Sequence, residues 1–355
     1  MTGHAIEMSE SVGHVMRDAF GQAYRQQPAQ RHETRIVLGG QSVRLRAVGD
    51  QLHQLVTRPF AHLQTEPSTT APPPRLTIDL WDEAETGVGC AGCHIDDDRD
   101  LHGQITCSDD GRYVGYRRAR SVTLYDRQDR RMLGWSAYED QALLYEMGRP
   151  LHVLLSYWHR DAGLQLMHSA LVALDGCGVL FPGLGGSGKS TSALSCLEAG
   201  WHYLGDDYIS LSCTSDGTFM GHSVYSSTHV EPDHLDRFKR LRSHAIPARH
   251  EQEDKSLVLL NELYPEQFLA SAPICAIALP RVCGAAESSY EPATKGQALL
   301  ALAPSSMVMV PGRNAQTMEQ LAQLVEHTPC YWMHLGHCLE SIAPCVESIV
   351  KEVTA

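Results

Sequence analysis

The stretch Val179-Leu180-Phe181-Pro182-Gly183-Leu184-Gly185-Gly186-Ser187-Gly188-Lys189-Ser190-Thr191 decides how this chain is read. Three apolar residues run into G-x-x-x-x-G-K-[ST], and a helix pattern follows from Lys189 to about Ala199, closed by Gly200. Strand, glycine-rich turn and helix in that order form a phosphate-binding loop. Glycines let successive backbone N–H groups converge on phosphate oxygens without Cβ obstruction, and the helix N-terminus adds its positive end. Gly183, Gly185, Gly186, Ser187, Gly188, Lys189, Ser190 and Thr191 are therefore the candidate nucleotide cradle. Within it Lys189 reaches the β and γ phosphates and Ser190 reaches Mg²⁺.

Two neighbouring segments extend the pattern. Downstream, Tyr203-Leu204-Gly205-Asp206-Asp207 sets adjacent carboxylates at the end of a short strand, and Asp206 comes 17 residues after Lys189, one helix and one strand away. That spacing brings the pair beside the loop, where carboxylates bind a metal or take a proton from an attacking hydroxyl. Upstream, Leu166-Met167-His168-Ser169-Ala170 lies on the strand before the loop strand. A lone histidine on an apolar strand is more often a satisfied core residue, but these neighbours draw His168 into the site.

The second half reads as α/β. Strands are expected at Leu164 to Ala173, Gly178 to Pro182, Trp201 to Leu204, Tyr208 to Ser212, Ser256 to Leu260 and Cys275 to Leu279, with closing helices at Ala315 to Glu326 and Leu339 to Val350. The first half reads as β-rich behind an opening amphipathic helix at 8–26. It holds a hairpin signal around Gly39-Gly40, a Pro/Ser/Thr-rich linker at Gln64 to Pro74, and strands from Arg75 to Trp135. Leu143 to Trp158 suggests a helix interrupted by Pro150, so the division falls between residues 1–145 and 146–355. There is no internal repeat.

Composition narrows the function classes. A formal charge of −13 opposes the broad cationic surface that duplex nucleic acid demands, and no run approaches the roughly 18 apolar residues of a membrane span. The opening Met-Thr-Gly-His-Ala-Ile-Glu-Met-Ser-Glu has neither a basic leader nor an apolar run, so a cytoplasmic protein is expected. Eleven scattered cysteines in a reducing compartment predict no structural disulfide. Cys90-Ala91-Gly92-Cys93-His94 matches the haem-attachment pattern formally but reads as a loop with two incidental thiols, and Asp96 to Asp100 as a solvated turn. Arg237 to His250 is a basic cluster, either a solvated helix face or a clamp for phosphates or an acidic peptide.

Together, Met167-His168-Ser169-Ala170, the glycine loop and Gly205-Asp206-Asp207 resemble the nucleotide site of the HPr kinase and ATP-dependent phosphoenolpyruvate carboxykinase superfamily. Val310-Pro311-Gly312-Arg313-Asn314 looks like the segment near the end of HPr kinases. The resemblance implies an α/β P-loop kinase core, HPr kinase-like, preceded by the β-rich domain, and ATP and Mg²⁺ as cofactors. It implies catalytic roles for Asp206, Asp207, His168 and Lys189, with Ser190 and Asp207 on the metal. Arg240, Arg242, Lys255, Arg281 and Arg313 are candidates to hold transferred phosphate or substrate. The glycine-rich signature of HPr kinases is replaced by His222-Ser223-Val224-Tyr225-Ser226-Ser227, and the chain is short for a carboxykinase. Its plan is most similar to HPr-kinase-like serine kinases of lasso-peptide and other ribosomally made peptide clusters. That similarity implies a peptide partner with a serine acceptor, and related enzymes assemble into homo-oligomers. The β-rich domain, the basic cluster and Ser223 to Thr228 offer material for a peptide surface. The alternatives are a kinase of free serine or a sugar, and an ATP-binding regulatory protein.

Overall fold

The computed structural model of the chain describes residues 9–66, 72–93, 103–118, 120–138, 142–248, 253–308, 310–311 and 315–355. It divides into two compact units, one ending at Trp158 and the other beginning at His159. Both contain mixed sheets with helices.

In the first unit, helix α1 (Glu10–Gln26) sets Met16, Phe20 and Ala23 into the core on one face, as their spacing requires. Strands β1 (Arg31–Leu38) and β2 (Gln41–Val48) form a hairpin through Gly39 and Gly40, both at positive φ, as a two-residue turn needs. Helix α2 (Asp50–Thr57), β3 (Gln64–Thr65), β4 (Leu76–Asp82) and α3 (Glu83–Thr86) follow. Next come β5 (Gln104–Cys107), β6 (Tyr113–Arg118), β7 (Ser121–Asp126) and β8 (Arg131–Ser136). The sheet order is β3-β1-β2-β4-β8-β7-β6-β5, with β4 parallel to both its neighbours. Helices α4 (Leu144–Gly148) and α5 (His152–Asp161) flank Pro150, which cannot continue a helix from within.

The expectation of no disulfide is corrected here. Cys90 and Cys93 are paired, with Cα atoms 5.3 Å apart, across a turn in which the Cys93 N–H donates to the Cys90 carbonyl. Both lie in the first unit's core with Trp81 and Val88, so they are interior groups rather than incidental loop thiols. A two-residue spacing inside one turn brings sulfurs together whatever the total count. His94 and Asp96 to Asp100 lie outside the described residues.

The second unit supplies β9 (Gln165–Met167), β10 (Ala170–Leu174), β11 (Cys177–Phe181), α6 (Lys189–Glu198), β12 (His202–Gly205), β13 (Ile209–Cys213), β14 (Phe219–Ser223) and β15 (Ser227–Val230). Short helices α7 (Pro232–Leu235) and α8 (Lys239–Arg242) precede β16 (Ser256–Leu259), β17 (Ser271–Val282) and β18 (Ser289–Pro292). Helices α9 (Lys295–Val308) and α10 (Ala315–His327), strand β19 (Cys330–Leu335) and helix α11 (Ile342–Thr354) close the chain. The main sheet runs β12-β10-β11-β17-β14-β13-β9, with β19 also on β17 and β18 on β19, while β15 and β16 pair separately.

Alternation along the strands explains the layers. Ala170 and Val172 join α6 and α11 residues such as Leu194 and Val346 in one cluster; Leu171 and Ala173 join Leu302 of α9 and Leu321 of α10 in another. Successive side chains of β10 thus enter different cores. The expected strand from Leu164 to Ala173 is broken at His168-Ser169, because β9 pairs with β13 whereas β10 pairs with β11 and β12. Among the described residues no helix is long and apolar enough to cross a membrane.

The first unit's polar interior makes two testable demands. Asp79 on β4 is fully buried and accepts from Arg46 Nε at 2.6 Å and Arg131 Nε at 2.6 Å, on the two flanking strands. Asp79→Ala strands two partly exposed guanidiniums and should lower stability by about 2–3 kcal/mol in urea unfolding; an unchanged midpoint would contradict this. His152 is held at about 3, first by burial and then by the Arg149 and Arg118 charges. Below about pH 6.5 the unfolded chain takes up a proton that the folded chain refuses, so stability present above that pH is lost down to about pH 3, at roughly 1.4 kcal/mol per pH unit. His152→Gln should flatten the fall in urea midpoint between pH 6.5 and 4; an unaltered slope would show that another group governs it.

Candidate active site

Strand β11 ends at Phe181 and delivers the chain into the glycine loop. Gly183, Gly186 and Gly188 take φ of 143°, 79° and 104°, and Gly188 caps α6 from the left-handed region. A Cβ on Gly188 would sit 2.2 Å from Leu335 Cδ1, and one on Gly183 would sit 2.6 Å from Ser187 Oγ. Backbone therefore passes where side chains have no room, the arrangement by which N–H groups converge on an anion. Ser190 is half-buried in the first turn of α6, and Thr191 is buried behind it.

Lys189 is only 6% exposed, and its ammonium donates to the Gly183 carbonyl at 2.8 Å and the Leu184 carbonyl at 3.2 Å. Burial lowers its pKa; Asp207 and then Asp206 push it back up, and Lys255 pulls it down. Lys189 thus feels the charge of both carboxylates and of Lys255.

The carboxylates arrive by pairing. Leu171 at the start of β10 lies opposite Gly205 at the end of β12, and Ala170 opposite Phe181 at the end of β11, so loop and Asp pair emerge at one end of the sheet. Open α/β sheets bind ligands at the carboxyl ends of their strands. Asp206 is 1% exposed and accepts a hydrogen bond from Thr228 Oγ1 at 2.6 Å. Asp207 is more open, and its Oδ1 lies 3.3 Å from His168 Nε2. The His168 ring also meets Tyr208 edge-on at 5.7 Å, and its Nδ1 is buried without a hydrogen bond. His168 reaches Asp207 because it occupies the break between β9 and β10.

The structure draws Lys189, Asp206, Asp207 and His168 together, leaves Lys255 within electrostatic reach of Lys189, and engages other candidates elsewhere. Arg240 donates to the Leu263 carbonyl at 2.9 Å and covers the Tyr264 ring at 4.3 Å; Arg242 pairs with Asp236 at 2.9 Å on the surface. Lys255 also pairs with Glu231 at 3.4 Å. Arg281 is exposed on β17, next to Pro280, whose Cβ would lie 3.9 Å from a Cβ on Gly188. Arg313 lies outside the described residues. The run from Ser223 to Thr228, read from sequence as surface material, is interior: Ser223, Val224, Ser226 and Thr228 are fully buried. Thr228 was missed for that reason, since a Ser-rich run gives no sign that β15 and β16 enclose it.

The model of the family described as SynChlorMet cassette protein ScmC matches residues 136–239, a segment that holds the glycine loop, His168, the Asp pair and Thr228. An HPr kinase/phosphorylase of Treponema pallidum subsp. pallidum is 28% identical over 95 residues, 26% of this chain and 30% of that protein. Another, from the Nichols strain of Treponema pallidum, is 36% identical over 67 residues, 18% of this chain and 21% of that one. The chain thus spans less than a third of these relatives' length. The solved Hpr(Ser) kinase/phosphatase from Coxiella burnetii is similar with a TM-score of 0.29 and 12% identity, across 54% of this chain and 99% of that one. The two sequence matches show that part of this chain has HPr kinase/phosphorylase-like homology.

Lys189→Ala removes a cation that, among the described residues, donates to the Gly183 and Leu184 carbonyls, and should leave the circular dichroism spectrum and melting profile near wild type. A loop that holds a triphosphate would lose at least about tenfold, or 1.4 kcal/mol, of Mg·ATP affinity with this change, by isothermal calorimetry. Retained affinity would remove the loop from nucleotide binding.

Proposed function

We propose that the chain is a Mg·ATP-dependent kinase that transfers a phosphoryl group to a serine hydroxyl of a ribosomally made, lasso-type precursor peptide. The observation that carries the kinase reading is the meeting of a glycine loop, a buried lysine and two differently partnered carboxylates at one end of the sheet. HPr kinase/phosphorylase-like homology over part of the chain supports it. Replacement of the HPr-kinase glycine signature by His222 to Ser227 favours an acceptor other than HPr itself.

The residues fit a hard divalent cation. Ser190 and Asp207 offer oxygen donors, and Mg²⁺ usually completes its shell with water and phosphate oxygens rather than with an all-protein cage. When bound, Mg²⁺ neutralises phosphate charge. Lys189, freed from its carbonyl partners, neutralises the transferring end of the triphosphate, and backbone N–H groups from Gly183 to Lys189 orient it. Asp207, the more open carboxylate and the one beside His168, suits the metal side and leaves Asp206, bonded to Thr228, to accept the serine proton. His168 holds Asp207 through Nε2.

Incubating the full chain with Mg·ATP and candidate precursor peptides should add a phosphate-sized mass at a serine. Asp206→Asn and Asp207→Asn should each lower the rate by about 10²–10⁴-fold, with only Asp207→Asn partly rescued by higher Mg²⁺ or by Mn²⁺. Phosphorylation of free serine or a sugar with no peptide product would sink the peptide assignment, and normal rates in both variants would sink the mechanism.

A further inference from the structure

We infer that Thr228 is the positioning residue for Asp206: its hydroxyl fixes the orientation of the carboxylate read above as the base. The inference rests on the kinase reading above and assigns a role within that site. Thr228 stands apart from the glycine loop and the Asp pair in sequence, because it follows directly on the His222 to Ser227 segment that departs from the HPr kinase pattern.

Thr228 Oγ1 lies 2.6 Å from Asp206 Oδ2, and Thr228 is 0% and Asp206 1% exposed. A carboxylate is acceptor-only when ionised, so in this bond the hydroxyl donates. A hydroxyl–carboxylate hydrogen bond is short and directional, which restricts the terminal torsion of Asp206, otherwise broad for an aspartate.

Thr228 itself is held on three counts. Its backbone sits in β15 opposite Val258 of β16; β-branching restricts χ1; and the preceding turn is tied by Ser226 Oγ donating to Asn261 Oδ1 at 2.7 Å. Rigid elements therefore run from β16 through Thr228 to one oxygen of Asp206. A base displaced by a fraction of an ångström loses rate without losing substrate. That is the signature expected of a residue acting through orientation. Asp207 has a different neighbour, His168, whose Nε2 lies 3.3 Å from its Oδ1.

The test uses the full chain and three proteins: wild type, Thr228→Val and Thr228→Ser. Valine keeps shape and β-branching but cannot donate; serine restores the donor. With the peptide acceptor, Thr228→Val should lower kcat by about ten- to hundredfold while KM for ATP stays within about twofold, and Thr228→Ser should recover most of kcat. An undiminished kcat in the valine variant, or a serine variant as poor as valine, would overturn the inference. A second readout does not depend on activity. In chains labelled with ¹³C at aspartate carboxylates, the resonance that disappears in Asp206→Asn should move in Thr228→Val and return in Thr228→Ser. If wild type phosphorylates nothing, the kinase reading falls while this resonance still decides the bond: an unmoved resonance in Thr228→Val refutes it.

Discussion

A buried ammonium ion is the constraint around which the candidate site is arranged. Lys189 cannot lie 6% exposed at the start of a helix without oxygens to receive its protons and negative charge within reach. Carbonyls of Gly183 and Leu184 meet the first need, and Asp207 and Asp206 meet the second. Those oxygens come from separate segments: the loop turns back because glycines accept its φ angles, and the carboxylates follow β12, registered against β10. The site is thus a problem in charge balance solved by strand pairing.

Legibility in the sequence followed the range of each interaction. The glycine loop is determined within a dozen residues, so spacing alone exposes it; the Asp pair needed only one further helix and strand. His168 was legible as a candidate through its neighbours, but the reason it reaches Asp207 was not. The apolar run from Leu164 to Ala173 looks continuous, and its division between two strand partners depends on residues far along the chain. Thr228 marks the limit, since its burial and its bond to Asp206 both arise from tertiary contacts across 22 residues.

Misread elements have local causes as well. Strand β17 runs for 12 residues, yet Pro273 and Pro280 lie within it, and prolines argue against a central strand, so only Cys275 to Leu279 was recognised. Helix α9 was overlooked because Lys295 to Val308 includes Pro304 and shows no clean polar and apolar faces. The Cys90–Cys93 pairing depends on local turn geometry, which neither compartment nor cysteine count reports.

Asp79 and its two arginines have a consequence for how the first unit finds its alignment. Hairpin turns tell antiparallel strands where to begin, but β2, β4 and β8 lie parallel and receive no such instruction from the chain between them. Sliding β4 by one residue would turn every side chain to the opposite face and carry Asp79 away from Arg46 and Arg131 together. A mispaired sheet would then hold a dehydrated carboxylate away from both its counterions, whereas Ile78 and Leu80 would bring no charge with them to the other face. The triad therefore works as an alignment mark, reading three distant segments at once and admitting one registration.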